Sequence, residues 1–101
     1  MHDEDGDQAY QTAAEQAVDL GNKLAESDPD ADLWDIADGI LAGAVQYWLY
    51  SRQPCEDPRC EDCAPMRTAE SRMAALRQLV EQAASDSEYY HSPHDLNAGR
   101  A

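Results

Sequence analysis

Three cysteines fall within one short stretch of this 101-residue chain, as Cys55-x4-Cys60-x2-Cys63. A Cys-x2-Cys turn points two sulfurs the same way, and a four-residue loop can fold a third back, so the three thiolates can converge on one tetrahedral ion. Pro54, Pro58 and Pro65 stiffen the stretch. A closed zinc site needs a fourth ligand, and the chain has no fourth cysteine. The remaining candidates are His91 and His94, with His2 more remote. The expected metal set is therefore Cys55, Cys60 and Cys63 with His94 or His91, holding Zn. A following helix of about 20 residues spans about 30 Å, so the later histidine, on the longer tether, is the more reachable one within a single chain.

The same cysteines allow other chemistry. Cys63 precedes a helical pattern whose N-terminal dipole can lower a thiol pKa, so Cys60 and Cys63 form a candidate redox-sensing pair. The x4, x2 spacing also resembles the opening of the plant-type ferredoxin cluster loop. That resemblance covers residues 55–63 alone, lacks the fourth cysteine, and sits among helical patterns rather than strands. Asp32, Asp35 and Asp38 recur every three residues. They read as solvated charge suited to a helix start before they read as a cation site. No nucleophile elbow, phosphate loop or dinucleotide fingerprint is present, so no enzyme is expected.

Around the cysteines the chain reads as three helices. The first is expected over about 7–26, capped by Asp7, with Gly21 marking a close approach of another backbone. The second is expected over about 29–53, started by Asp28-Pro29. Its apolar positions (Leu33, Ile36, Ile40, Leu41, Val45, Trp48, Leu49) cover more than half the circumference, and Gly39 and Gly43 offer a flat face to a neighbour. The third is expected over about 65–84, where Met66, Ala69, Met73, Leu76, Val80 and Ala83 make a heptad seam. Residues 1–6 read as a disordered acidic lead-in, 54–64 as the cysteine loop, and 85–101 as a polar tail that docks in part through Tyr89 and Tyr90. The predicted fold is all-α: a single helical domain over 7–84, built as a three-helix up-down bundle with a Cys-rich elbow between helices 2 and 3, closed internally or by dimerisation.

Charge narrows the partners. Twenty-one acidic residues face seven basic ones, for a net −14. Residues 1–35 hold eleven carboxylates and Lys23, whereas residues 66–84 carry a net +1. Such a field repels nucleic-acid phosphate and anionic membrane, so neither is an expected direct partner. Salt adaptation accounts for the acidity in one reading, and a surface fitted to a basic protein in another. The N-terminus is not a basic stretch leading into an apolar run, and the clustered cysteines suit a reducing compartment, so the expectation is cytoplasmic. The combined expectation is a small acidic interaction module with a zinc-stapled elbow that self-associates. An acidic inhibitor or nucleic-acid mimic and a Cys60/Cys63 redox sensor are the alternatives.

Overall fold

A computed structural model describes residues 2–93, with the side chains of 2–6 omitted. The chain is all-helical as expected, and no strand occurs among the described residues. In chain order the helices are α1 (His2–Ser27), α2 (Leu33–Ser51) and α3 (Ala69–Asp86), with a short 3-10 turn at Ala64–Met66. The chain divides into two compact units, Met1–Ser51 and Arg52–Ala101.

The first unit is a helical hairpin. α1 begins at His2, earlier than the expected Asp7, so the acidic lead-in belongs to the helix. After α1 the chain turns at once: the Ala31 N–H donates to the Asp28 carbonyl at 3.0 Å, and the Asp30 N–H to the Asp28 carboxylate at 3.3 Å. Asp28 thus organises the turn and does not cap α2. The cap is Asp32, whose Oδ1 accepts from the Trp34 N–H at 2.8 Å, which explains why α2 starts four residues later than the Asp28-Pro29 signal indicates. Within the hairpin, a Cβ placed on Gly21 would stand 3.2 Å from Ile40 Cδ1. Gly21 is therefore a point of close approach, but to the Ile40 side chain rather than to another backbone as expected. Gly39 and Gly43 are different, because a Cβ on either meets nothing within 4 Å.

No described residue is buried. A two-helix hairpin can bury only the seam between its helices, and α2 is apolar nearly all round. Ile36, Ile40, Val45, Trp48 and Leu49 are half-buried, while Leu33 and Trp34 remain 64% and 80% exposed. Core packing was the expectation for the α2 aromatics, and Trp48 alone approaches it. Tyr47 and Tyr50 are exposed, with ring centroids 6.3 Å apart.

The second unit consists of the cysteine loop, the 3-10 turn, α3 and the turn that follows. α3 carries a capping box: the Thr68 side chain accepts from the Ser71 N–H at 3.0 Å, and the Thr68 N–H donates to Ser71 Oγ at 3.1 Å. That pair satisfies two of the amide donors a helix start leaves over. It also moves the helix start from the expected Pro65 to Ala69, while Pro65 occupies the 3-10 turn. The half-buried face of α3 is Ser71, Arg72, Ala75 and Leu76, whereas Met73 and Val80 are 51% and 45% exposed. The heptad seam is thus only partly covered. Beyond α3, the Tyr90 N–H donates to the Ser87 carbonyl at 3.1 Å in a local turn. Tyr89 and Tyr90 are both exposed rather than docked on a helix. No helix among the described residues is long and apolar enough to cross a membrane.

Candidate metal centre

The cysteine loop is a succession of tight turns. The Cys60 N–H donates to the Asp57 carbonyl at 3.1 Å, and the Arg59 N–H to the Asp57 carboxylate at 2.9 Å. This is an aspartate turn of the kind that sequence Asp-Pro-Arg favours. A second turn joins the Ala64 N–H to the Glu61 carbonyl at 3.3 Å, and the 3-10 turn follows with the Met66 N–H on the Cys63 carbonyl at 2.9 Å. Each turn reverses the chain once, which is how thiols eight positions apart come together.

Arg67 locks the two ends of the first turn. Its Nη2 donates to the Asp57 carbonyl and to the Cys60 carbonyl, both at 3.0 Å. One terminal nitrogen carries two hydrogens, so both bonds form at once. Arg72 does the same for the segment beyond, donating through Nη1 to the Met66 carbonyl at 2.9 Å. Neither arginine announces this role in the sequence. Their only signal is a position within two turns of the cysteines.

The outcome is a cluster of three thiols. The Sγ atoms of Cys55, Cys60 and Cys63 all lie within 4.8 Å of one another, and they are the only such group of metal-ligating atoms among the described residues. Two sulfurs on a tetrahedral ion at about 2.3 Å stand roughly 3.8 Å apart, so small side-chain rotations suffice to close the set on one ion. All three are free cysteines; Cys55 is exposed and the other two half-buried. The donor set fits a thiophilic, tetrahedral ion such as zinc, and does not fit calcium or magnesium, which require oxygen ligands.

The thiols differ in acidity. Cys55 is held below the ordinary thiol pKa, chiefly by hydrogen bonding from the Asp57 backbone, then from the Cys63 and Cys60 side chains, with the Arg67 charge adding to it. Cys63 behaves oppositely. Its largest single influence is the Cys55 backbone N–H, which lowers it; hydrogen bonding with the Cys55 and Cys60 side chains, desolvation and the Cys55 charge outweigh that and raise it. A reactive Cys63 activated by a helix dipole is therefore not what the fold provides. The α-helix begins only at Ala69, and the dipole is felt within the first turn.

Of the expected histidines, the one among the described residues with its side chain, His91, is not in the cluster. His91 lies past the end of α3, its ring edge-on to Tyr90 with centroids 4.8 Å apart. α3 has 18 residues and so spans about 27 Å. His94 lies outside the described residues, as does the side chain of His2. Asp32, Asp35 and Asp38 form no ligand group either; Asp32 serves as the α2 cap instead. Comparison with protein-family models, with curated proteins and with solved structures finds no match for this chain.

Proposed function

We propose that the chain is a non-enzymatic interaction module, working in the reducing cytoplasm, whose cysteine loop is stapled by one zinc ion. The supporting observation is the convergence of the Cys55, Cys60 and Cys63 sulfurs within 4.8 Å of one another. Three thiolates supply most of a structural zinc shell, and the fourth position falls to His94, to a histidine of a second copy, or to water. When bound, the ion replaces the mutual repulsion of closely spaced thiolates with a cross-link. A small domain with no buried side chain among the described residues has much to gain from such a cross-link.

The chain's own residues prepare that binding. Arg67 holds the turn carrying Cys60, and the Cys55 N–H donates to Cys63 Sγ at 3.2 Å, so the sulfurs are gathered before any ion arrives. Self-association belongs to the same reading, with the exposed Met73 and Val80 of α3, beside half-buried Leu76, as the surface that a second copy covers.

Elemental analysis of untagged protein tests the reading. One zinc per chain is expected, with cobalt substitution giving thiolate-to-metal charge-transfer bands and Cys60→Ser removing both. A metal-free, fully folded chain that takes up neither ion would remove the staple.

A further inference from the structure

The hairpin of α1 and α2 has an unused face that differs from the α3 seam in both shape and charge. A groove of about 500 Å³ runs between the two helices, lined by Ala17, Leu20, Leu24, Ile36, Ile40 and Gly43 among others, and its lining is almost wholly apolar. All of it belongs to the first unit. On the α2 side Gly39 and Gly43 leave the backbone bare, with nothing within 4 Å of where their Cβ atoms would be. Gly21, on α1, is not part of this lining and already meets Ile40, so the open glycines are those of α2. An open glycine pair one turn apart is the geometry that lets a further helix approach closely, near the lower end of the 8–10 Å interaxial range.

Charge selects the occupant. Residues 1–51 carry twelve carboxylates and one lysine, a net −11, whereas residues 52–101 carry nine carboxylates and six arginines, a net −3. The acidity is thus concentrated on the unit that bears the groove. Asp35 is part of the groove lining itself, and Asp28, Asp30 and Asp32 lie in the connection that closes one end of the hairpin. A second copy seated there would set −11 against −11, a repulsion that physiological salt, with a screening length of about 8 Å, weakens but does not remove for the charges nearest the contact. A positively charged helix gains where a second copy loses.

We propose that this groove is the docking site for a cationic amphipathic helix of a partner protein. Apolar residues at i, i+3 or i+4 and i+7 of the partner enter between Leu20, Leu24, Ile36 and Ile40. One small-residue turn of the partner crosses Gly39 and Gly43, and flanking Arg or Lys residues pair with Asp35 and the connection carboxylates. The apolar contact supplies affinity, and the carboxylates supply the on-rate and reject acidic helices. This rests on the interaction-module reading but not on the zinc, because no groove residue belongs to the cysteine loop.

The test uses the full chain and a synthetic amphipathic peptide of about 18 residues, with leucines on one face and arginines on the other. Fluorescence anisotropy should report saturable binding that weakens about 10-fold or more between dilute buffer and half-molar salt. A peptide with glutamate in place of arginine, and one with the same composition scrambled out of amphipathic order, should not bind. Gly43→Leu, which fills open space, and Asp35→Arg, at an exposed edge, should each reduce binding about 10-fold or more with helicity unchanged by circular dichroism. Equal binding by the scrambled peptide, or wild-type affinity in Gly43→Leu, would overturn the proposal in favour of unspecific charge attraction. A dimer that Gly43→Leu dissociates would overturn it in favour of a second copy in the groove. Metal content measured on the same sample keeps the outcome separate from that of the zinc reading.

Discussion

The backbone N–H of Cys55 donates to Sγ of Cys63 at 3.2 Å, joining the first cysteine of the loop to the last. An amide aimed at sulfur favours the thiolate there. Yet Cys55, which gives that bond, is the more acidic of the two thiols, because the Asp57 backbone and its two cysteine neighbours hydrogen-bond to Cys55 in turn. Cys55 and Cys63 therefore share charge unevenly, with more of it on the exposed Cys55.

That asymmetry predicts an order of reaction. In metal-free protein, iodoacetamide should modify Cys55 at a lower pH than Cys63, because the thiolate is the nucleophile. The lowered Cys55 value favours the fold above the ordinary thiol pKa, and that contribution is lost as pH falls through the lowered value. The raised Cys63 value favours the fold below the ordinary pKa, and that contribution is lost as pH rises through the raised value. The two contributions oppose each other in sign, while reactivity separates. Peptide mapping by mass spectrometry between about pH 6 and 10 checks the order; Cys63 modified first would contradict it.

Arg67 is expected to act on the metal without touching it. Replacing it with methionine removes both bonds that hold the Cys60 turn, and zinc affinity should fall about 10- to 100-fold. Lysine restores the charge but not the planar, two-carbonyl reach, so Arg67→Lys should recover little of the loss. Competition with a chelator of known affinity measures both. Full recovery in Arg67→Lys would assign the effect to charge rather than position.

On α3, Leu76→Glu should abolish self-association, because Leu76 is the half-buried centre of a seam flanked by exposed Met73 and Val80. Met73→Glu, at an exposed position, should dissociate the assembly while leaving the helix content intact. Light scattering and circular dichroism on both variants distinguish a surface between copies from packing within the unit. A monomeric wild-type chain at high micromolar concentration would count against the seam.

The glycines of the hairpin should separate cleanly. Gly39→Ala meets nothing and should stabilise the chain by about 0.5–1 kcal/mol through helix propensity. Gly21→Val has the same backbone benefit in part, but its Cβ would sit 3.2 Å from Ile40 Cδ1 with two methyls beyond, and should destabilise by about 1–3 kcal/mol. Urea unfolding measures each. Equal effects at both positions would mean that Gly21 is not a point of close approach.

Much of this arrangement could be read from residue types alone. The helix count follows from periodicity, the Gly21 contact from a glycine inside an otherwise good helical run, and the sulfur cluster from spacing and prolines. The helix starts were less legible, because two residues competed for each one. Asp28 and Asp32 can both cap α2, and only the turn formed after Pro29 decides for Asp32. Pro65 suits the first turn of a 3-10 helix as well as of an α-helix, and the Thr68–Ser71 pair settles the matter. The identity of the acidic thiol was not legible at all. It depends on hydrogen bonds made when the loop folds back, and these have no sequence period.

The absence of any buried side chain among the described residues bears on how the chain should melt. The heat-capacity increment of unfolding scales with the apolar surface newly exposed to water, and here little of that surface is hidden to begin with. Calorimetry of the lone chain should give a broad, shallow endotherm with a small step in baseline. Covering the hairpin groove or the α3 seam should sharpen the peak and enlarge the step, so that cooperativity itself becomes a property of the assembly rather than of the polypeptide.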